Sequence, residues 1–284
     1  MLRSSLALLV VVGCFNEPGR PSGARDGGGD DGGSDAQPHD AYVGPLKATK
    51  LSTAYWDERN SGSGSPGMTG GHWELDLSSA QSGQLLLIIG TVDNGSGNYF
   101  DPTTPVNWTK LDEVYTDVPA DTQTTIFAWK IAGTNETRIG ADYTNTSGSG
   151  SAAFVVLAID GFDPENPIET RDIGQADNHM NTNPVMVTSA GVVVSEPATL
   201  LINAMAVDWE DGSNTYSHSV PAGYDELANV SDFGRDQTGY HWSTLVVSEA
   251  HHDTGPTGIV TGMMTSGGNV GVGIYGLIAI KPMP

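Results

Sequence analysis

The chain contains 284 residues, with 34 acidic residues against 12 Lys and Arg, so its formal net charge is −22. This charge argues against binding to DNA, RNA or anionic lipid headgroups, because phosphate groups would be repelled. The chain has one cysteine, which excludes an intramolecular disulfide framework.

The N-terminal residues are arranged as an export signal. Arg3 supplies a positive charge, and the apolar run Leu6–Val12 follows it. A membrane-spanning helix needs roughly 20 apolar residues, so this run is too short to cross a bilayer. A short apolar stretch behind a positive start is typical of a secretory signal.

The end of that run, Val11-Val12-Gly13-Cys14, resembles the lipobox of bacterial lipoproteins, in which an aliphatic residue and two small residues precede a cysteine. Val12 departs from the pattern, which more often has Ala or Ser there. The resemblance implies that residues 1–13 are a cleaved signal peptide and that Cys14 is acylated, which would anchor the protein to a membrane. More than one acyl chain is needed for stable anchoring.

The residue after the anchor indicates where the protein is delivered. Some bacteria read an Asp at this position as a signal for retention in the inner membrane, and this chain has Phe15. By the same resemblance, we expect a cell-envelope lipoprotein in the outer membrane of a Gram-negative bacterium.

Residues 14–45 are predicted to form a disordered linker behind the acylated cysteine. The segment Gly27–Asp35 contains only Gly, Asp and Ser, so it has no apolar side chains to bury. A Gly-rich coil of about thirty residues has an r.m.s. reach of roughly 30 Å. Such a tether would hold the rest of the chain clear of the lipid surface.

Residues 46–284 are predicted to form an all-β domain. Charged residues are sparse, Gly is frequent, and no stretch has a helical period. Apolar blocks alternate with clusters of Gly, Asn, Asp and Pro, which is typical of a sandwich or barrel. The clearest blocks are Leu85–Val92, Thr124–Ile131, Ala152–Ile159, Leu200–Val207, Ser243–Val247 and Val270–Ile280.

Two stretches of this domain, about 83–160 and 198–282, repeat the same order of features. Each begins with an apolar strand that ends at an Asp, continues through a Pro–aromatic–Leu turn, and closes with an apolar strand. One half alone would expose an apolar sheet face, so we expect the halves to pack face to face. The expected fold is a jelly-roll-like two-sheet sandwich with an internal two-fold repeat.

The flanking segments complete this prediction. Ala48–Leu77 is expected to add outer strands, and residues 161–190 to form a long crossing between the halves. The repeated pattern resembles modules of bacterial and phage surface proteins, which are commonly adhesive, glycan-binding or spacing elements.

Two polar loops follow the Asp-ended strands, and both carry aromatic residues. Aromatic faces beside Asp and Asn groups can stack on and hydrogen-bond a sugar. We therefore expect a ligand surface at one end of the sandwich, formed by Tyr99, Phe100, Trp209 and Tyr216.

The same loops are rich in oxygen ligands and glycine turns, which Ca²⁺ requires. Neither loop fits the EF-hand pattern, so the alternatives are a Ca²⁺ site and ordinary solvated turns. The candidate metal ligands are Asp93, Asp101, Asp208 and Asp211.

The sequence leaves three functions open. The first is a surface-anchored, non-catalytic module that binds a glycan or a protein partner. The second is an anchored hydrolase or lyase that uses His251-His252-Asp253, with Glu249 or His218 as a partner. The third is a structural spacer without a small ligand. We favour the first and expect no catalytic residue.

Overall fold

The computed structural model describes residues 45–57, 71–93, 107–118, 121–143, 151–176, 184–210, 216–231, 242–266 and 269–284. Every regular element in these ranges is a β-strand, and they contain no helix that could span a membrane. The strands are β1 (Lys47–Asp57), β2 (Gly71–Asp76), β3 (Leu85–Asp93), β4 (Thr109–Val118), β5 (Asp121–Ile131), β6 (Arg138–Tyr143), β7 (Ser151–Asp160), β8 (Ile168–Gln175), β9 (Val185–Ser189), β10 (Val193–Val194), β11 (Thr199–Glu210), β12 (Tyr216–Ser219), β13 (Asp225–Val230), β14 (Trp242–His252), β15 (Gly255–Pro256), β16 (Val260–Ser266) and β17 (Asn269–Ile280).

The strands form two large and three small antiparallel sheets. The first large sheet has the order β1-β7-β3-β5-β4, and the second has the order β8-β17-β11-β14-β13. The small sheets are β2-β6, β9-β16-β12 and β10-β15. The predicted all-β sandwich is therefore confirmed, although it contains more than two sheets.

The two large sheets have the same strand order because the chain repeats one β unit. By position in the sheet, β1 corresponds to β8, β3 to β11, β4 to β13, β5 to β14 and β7 to β17. The pairs β2-β6 and β9-β16 also correspond. We call residues 47–160 the first repeat and residues 168–280 the second repeat. Within the first repeat, the small-sheet strand β2 lies between β1 and β3 in sequence and β6 lies between β5 and β7, whereas β3, β4 and β5 follow one another in the large sheet.

The structural repeats begin earlier than the predicted bounds, 83–160 and 198–282. The expected long crossing, residues 161–190, is wrong because this segment contains β8 and β9. The strand β8 lies at a sheet edge and is only partly buried along most of its length. It therefore lacks the continuous apolar pattern by which a covered strand is identified.

The two large sheets pack face to face around a central core. Alternate residues of β3 (Leu85, Leu87 and Ile89) and of β11 (Leu200 and Ile202) meet there. The opposite faces of the large sheets are also covered, by the small sheets β2-β6 and β9-β16. Because the central strands are covered on both faces, they appear in the sequence as unbroken apolar runs.

The sandwich has two distinct ends. We call the end where β1 starts the near end, since Lys47 pairs there with Asp160. The far end is the opposite one, where Asp57 pairs with Ser151 and Asp93 pairs with Gln123. The linker predicted from the sequence would therefore join the sandwich at its near end.

Two corresponding turns at the near end allow the repeat to be tested by single substitutions. Gly83 lies two residues before β3 and Ala198 lies one residue before β11, and both have positive φ angles, 88° and 60°. This conformation costs an L-residue about 1–2 kcal/mol, whereas glycine adopts it readily. We expect Ala198→Gly to raise the free energy of unfolding by roughly 0.5–1 kcal/mol and Gly83→Ala to lower it by about 1 kcal/mol. Urea unfolding of both variants measures the difference, and changes of the same sign would contradict it.

Candidate functional site

Five of the predicted site residues lie outside the described residues: Cys14, Tyr99, Phe100, Asp101 and Asp211. The remaining four lie on strands near the far end. Asp93 ends β3, where its backbone pairs with Gln123. Asp208 and Trp209 lie within β11, and Tyr216 begins β12.

Trp209 lies in the core and not on the surface where the sequence analysis placed it. Its side chain is 1% exposed, and its indole Nε1 donates a hydrogen bond to Thr244 Oγ1 at 3.0 Å. The reason is that β11 continues to Glu210, two residues beyond the predicted strand end at Asp208. Trp209 therefore takes the alternate position that faces the outer core of the second repeat. In this position its ring faces are not available to a sugar.

Tyr216 packs edge-on against Trp209, with ring centroids 6.0 Å apart. The ring of His218 also stacks on it, with ring centroids 5.4 Å apart. Burial, with a smaller contribution from the charge of Glu226, raises the pKa of the Tyr216 hydroxyl well above its usual range. The imidazole Nε2 of His218 lies 2.6 Å from Glu226 Oε2. His218 is therefore paired with Glu226, which the sequence analysis had not considered as its partner.

Asp208 lies in a buried polar part of the central core and not in a loop. Its side chain is fully buried, and the register between β11 and β17 shifts at this residue. Its cross-strand neighbour Ser243 donates its backbone N–H to Ser151 Oγ at 2.5 Å, which joins the two large sheets.

The polar part of this core continues into the first large sheet. Gln123 Nε2 and Thr125 Oγ1 both donate to Thr91 Oγ1, at 2.8 and 2.9 Å. Within the described ranges, Gln123 Oε1 is buried and accepts no hydrogen bond. No group of three His, Cys, Asp or Glu side chains in those ranges could hold a metal ion. Calcium binding stays a prediction, since Asp101 and Asp211 lie outside these ranges.

A wide cleft of about 890 Å³ opens at the near end, between the first repeat and the C-terminal residues. Gln84 Nε2 donates to both carboxylate oxygens of Asp160, at 3.1 and 3.0 Å. Lys281 Nζ lies 3.0 Å from Asp163 Oδ2, and its hydrogen bond holds the pKa of the Asp163 carboxyl below the usual range. Gln84 and Asp160 are thus paired within the first repeat, and Asp163 is paired with Lys281, which follows the second repeat.

A smaller depression of about 420 Å³ lies on the outer side of the second repeat. We call it the Tyr224 pocket. His251 and His252, the histidines singled out in the sequence, both border it, whereas Asp253 does not. Its other bordering residues are Leu201, Pro221–Tyr224, Ala250, Thr257 and Ile259–Thr261.

Tyr224 is held at this pocket by a tight turn. Its backbone N–H bonds to Pro221 O at 3.1 Å, and Gly223 has a φ of 84°, which glycine adopts readily. The Tyr224 hydroxyl is buried and forms no hydrogen bond within the described residues. Burial raises its pKa to about 12. The hydroxyl is therefore neutral at ordinary pH. Because the hydroxyl is buried, it is the rest of Tyr224 that borders the pocket.

The corresponding surface of the first repeat is filled by its own side chains. Trp108 follows Asn107, whose φ is 73°, as Tyr224 follows Gly223. The ammonium of Lys130 lies 5.5 Å from the centroid of the Trp108 ring and 2.7 Å from Glu136. Burial alone would raise the pKa of Glu136, but hydrogen bonds from Lys130 and from the backbone of Gly133 lower it.

Lys130, Ala250 and the pocket beside Ala250 were not predicted from the sequence. The signal that could have found them is the repeat itself, because Leu86 pairs with Lys130 as Leu201 pairs with Ala250.

No protein-family model, curated protein or solved structure matches the chain.

Proposed function

We propose that this protein is an envelope lipoprotein whose tethered β-sandwich binds an external glycan or protein without catalysing a reaction. The observation that carries the proposal is the Tyr224 pocket, which is open to solvent and bordered by Tyr224, the residues of its turn and two histidines. Aromatic and imidazole groups around an open depression suit recognition of a polar ligand.

The chemistry of the pocket favours binding over hydrolysis. The residues that border it include no carboxylate and no thiol. Thr257 Oγ1 already accepts from Val192 N and donates to Gly258 O, both at 3.0 Å. Thr261 Oγ1 lies 3.1 Å from Thr188 Oγ1. A hydrolase needs an activated nucleophile or water beside an oriented base, and these hydroxyls are engaged elsewhere.

The binding proposal is tested with the full acylated chain in detergent. We expect it to retain a defined subset of glycans on an array, or one envelope protein after cross-linking, and to release the ligand chemically unchanged. Repeating the assay in Ca²⁺ and in EDTA tests whether binding depends on calcium. Failure to retain any glycan or protein, or conversion of the ligand, would count against the proposal.

The anchor is tested separately by Cys14→Ala. We expect mass spectrometry of the mature wild-type protein to find an acylated N-terminal cysteine. The variant should move from the detergent phase to the aqueous phase on Triton X-114 partition, because it lacks the acyl chains. Cys14→Ser is a control of nearly equal size and should behave in the same way. Unchanged partition of both variants would remove Cys14 as the anchor.

A further inference from the structure

We propose that the Tyr224 pocket binds the protonated amine of a lysine side chain presented by a partner protein. This inference rests on the proposed binding function and names the chemistry of the partner. In the internal repeat, one copy of this surface is filled by a lysine of the chain itself and the other copy is open.

The two surfaces share one backbone frame. In each repeat an aromatic residue follows a residue of positive φ and precedes an edge strand, as Trp108 precedes β4 and Tyr224 precedes β13. The next strand presents Lys130 in the first repeat, at the position where the second has Ala250. The frame is thus conserved within the molecule while the side chain that covers the aromatic residue is not.

In the first repeat, Lys130 shows what this frame accommodates. Its ammonium lies 5.5 Å from the centre of the Trp108 ring, within the roughly 6 Å over which a cation is attracted to an aromatic face. Its side chain is 19% exposed, so its stem is packed against the protein, and its ammonium is also paired with Glu136 at 2.7 Å. The lysine therefore occupies the site as a ligand would, with a buried aliphatic stem and a charged head.

In the second repeat, the lysine is missing and its space is open. Ala250 lacks the stem and the ammonium, and the pocket of about 420 Å³ lies beside it and Tyr224. Leu201 and Val260 border the pocket and are almost fully buried, so they offer an apolar wall to an aliphatic stem. An incoming lysine would fill the volume that Lys130 fills in the first repeat.

Charge and exposure at the surface favour a basic protein as the partner. The chain carries a formal net charge of −22, which attracts cationic partners over long range. Asp225 and Asp253 are exposed and lie next in sequence to pocket residues. Ile259 at the rim is 74% exposed and offers an apolar contact around the lysine.

The experiment uses Nα-acetyl-lysine N-methylamide as the probe and the full chain in detergent, observed by NMR titration. We expect wild type to bind one equivalent at the Tyr224 pocket. The neutral isostere Nα-acetyl-norleucine N-methylamide should bind at least tenfold more weakly. Ala250→Lys should also weaken probe binding at least tenfold, because its own lysine fills the pocket. Tyr224→Phe keeps the ring and should bind as wild type, whereas Tyr224→Leu should not bind.

The first repeat supplies an independent gain-of-function test. Lys130→Ala should open an equivalent pocket over Trp108, so the number of bound probes should rise from one to two and Trp108 fluorescence should respond. Equal binding of the lysine and norleucine probes, wild-type binding by Ala250→Lys, or one bound probe in Lys130→Ala would each overturn the proposal. If Ala250→Lys still retains the partner found on the array or by cross-linking, the lysine pocket fails while the proposed function stands.

Discussion

Replacing Gly276 with valine is expected to lower the free energy of unfolding by at least about 3 kcal/mol, the upper part of the range for overpacking a core. A Cβ at this position would lie 2.4 Å from Phe127 Cε1 and 2.6 Å from Phe127 Cζ, far below normal contact. Phe127 is fully buried and belongs to β5 of the opposite large sheet. The ring therefore has no space to move into unless the two sheets separate.

This prediction has a matched control and a rescue. Gly133→Ala places a Cβ no closer than 3.6 Å to its neighbour, so it should change stability by less than about 0.5 kcal/mol. Phe127→Leu shortens the side chain that meets Gly276, so the pair Gly276→Ala and Phe127→Leu should be more stable than the sum of the single changes predicts. Chemical unfolding of the wild type, the two single variants and the double variant measures this coupling. A Gly276→Val protein as stable as Gly133→Ala would contradict the face-to-face packing of the repeats.

The central strands could be predicted from the sequence because each is covered on both faces. The predicted blocks Leu85–Val92 and Val270–Ile280 differ by one residue from β3 and β17. Edge strands give a weaker signal, since one side of each has no hydrogen-bonded neighbour and fewer of its side chains are buried. The strand β8 was missed for this reason, and β10 and β15 are two residues long.

The sites were harder to predict because they depend on where each strand ends and on which residues lie side by side. A strand end placed at Asp208 made Trp209 a loop residue, although β11 continues through it. The difference between Lys130 and Ala250 is visible in the sequence only after the strand register aligns the two repeats. Periodicity identifies the buried face of a strand, but the contacts made by a particular side chain need the register of its neighbours.

Trp209 is the residue at which the sequence-based prediction and the structure differ most, since the prediction placed it on the surface and the structure buries it. If its ring were a surface platform for a sugar, Trp209→Ala would weaken ligand binding and leave stability nearly unchanged. Since the ring is 1% exposed and packs in the outer core of the second repeat, we expect the variant to lose about 3–5 kcal/mol of unfolding free energy. Trp209→Phe should lose less unfolding free energy, because it keeps much of the buried volume. It should still lose some, because it removes the donor to Thr244 Oγ1.

The control for this prediction is Ile259→Ala, since Ile259 is 74% exposed and its truncation should change stability by less than about 0.5 kcal/mol. Urea unfolding of the three variants gives the comparison. A loss below about 1 kcal/mol for Trp209→Ala would be too small for a buried indole and would restore the surface interpretation. The expected large loss would instead mean that a weaker ligand interaction in this variant reports unfolding of the second repeat. Trp209 could then not be used as a binding-site substitution, and the aromatic contact should be tested at Tyr224, where the Phe and Leu variants separate the ring from the fold.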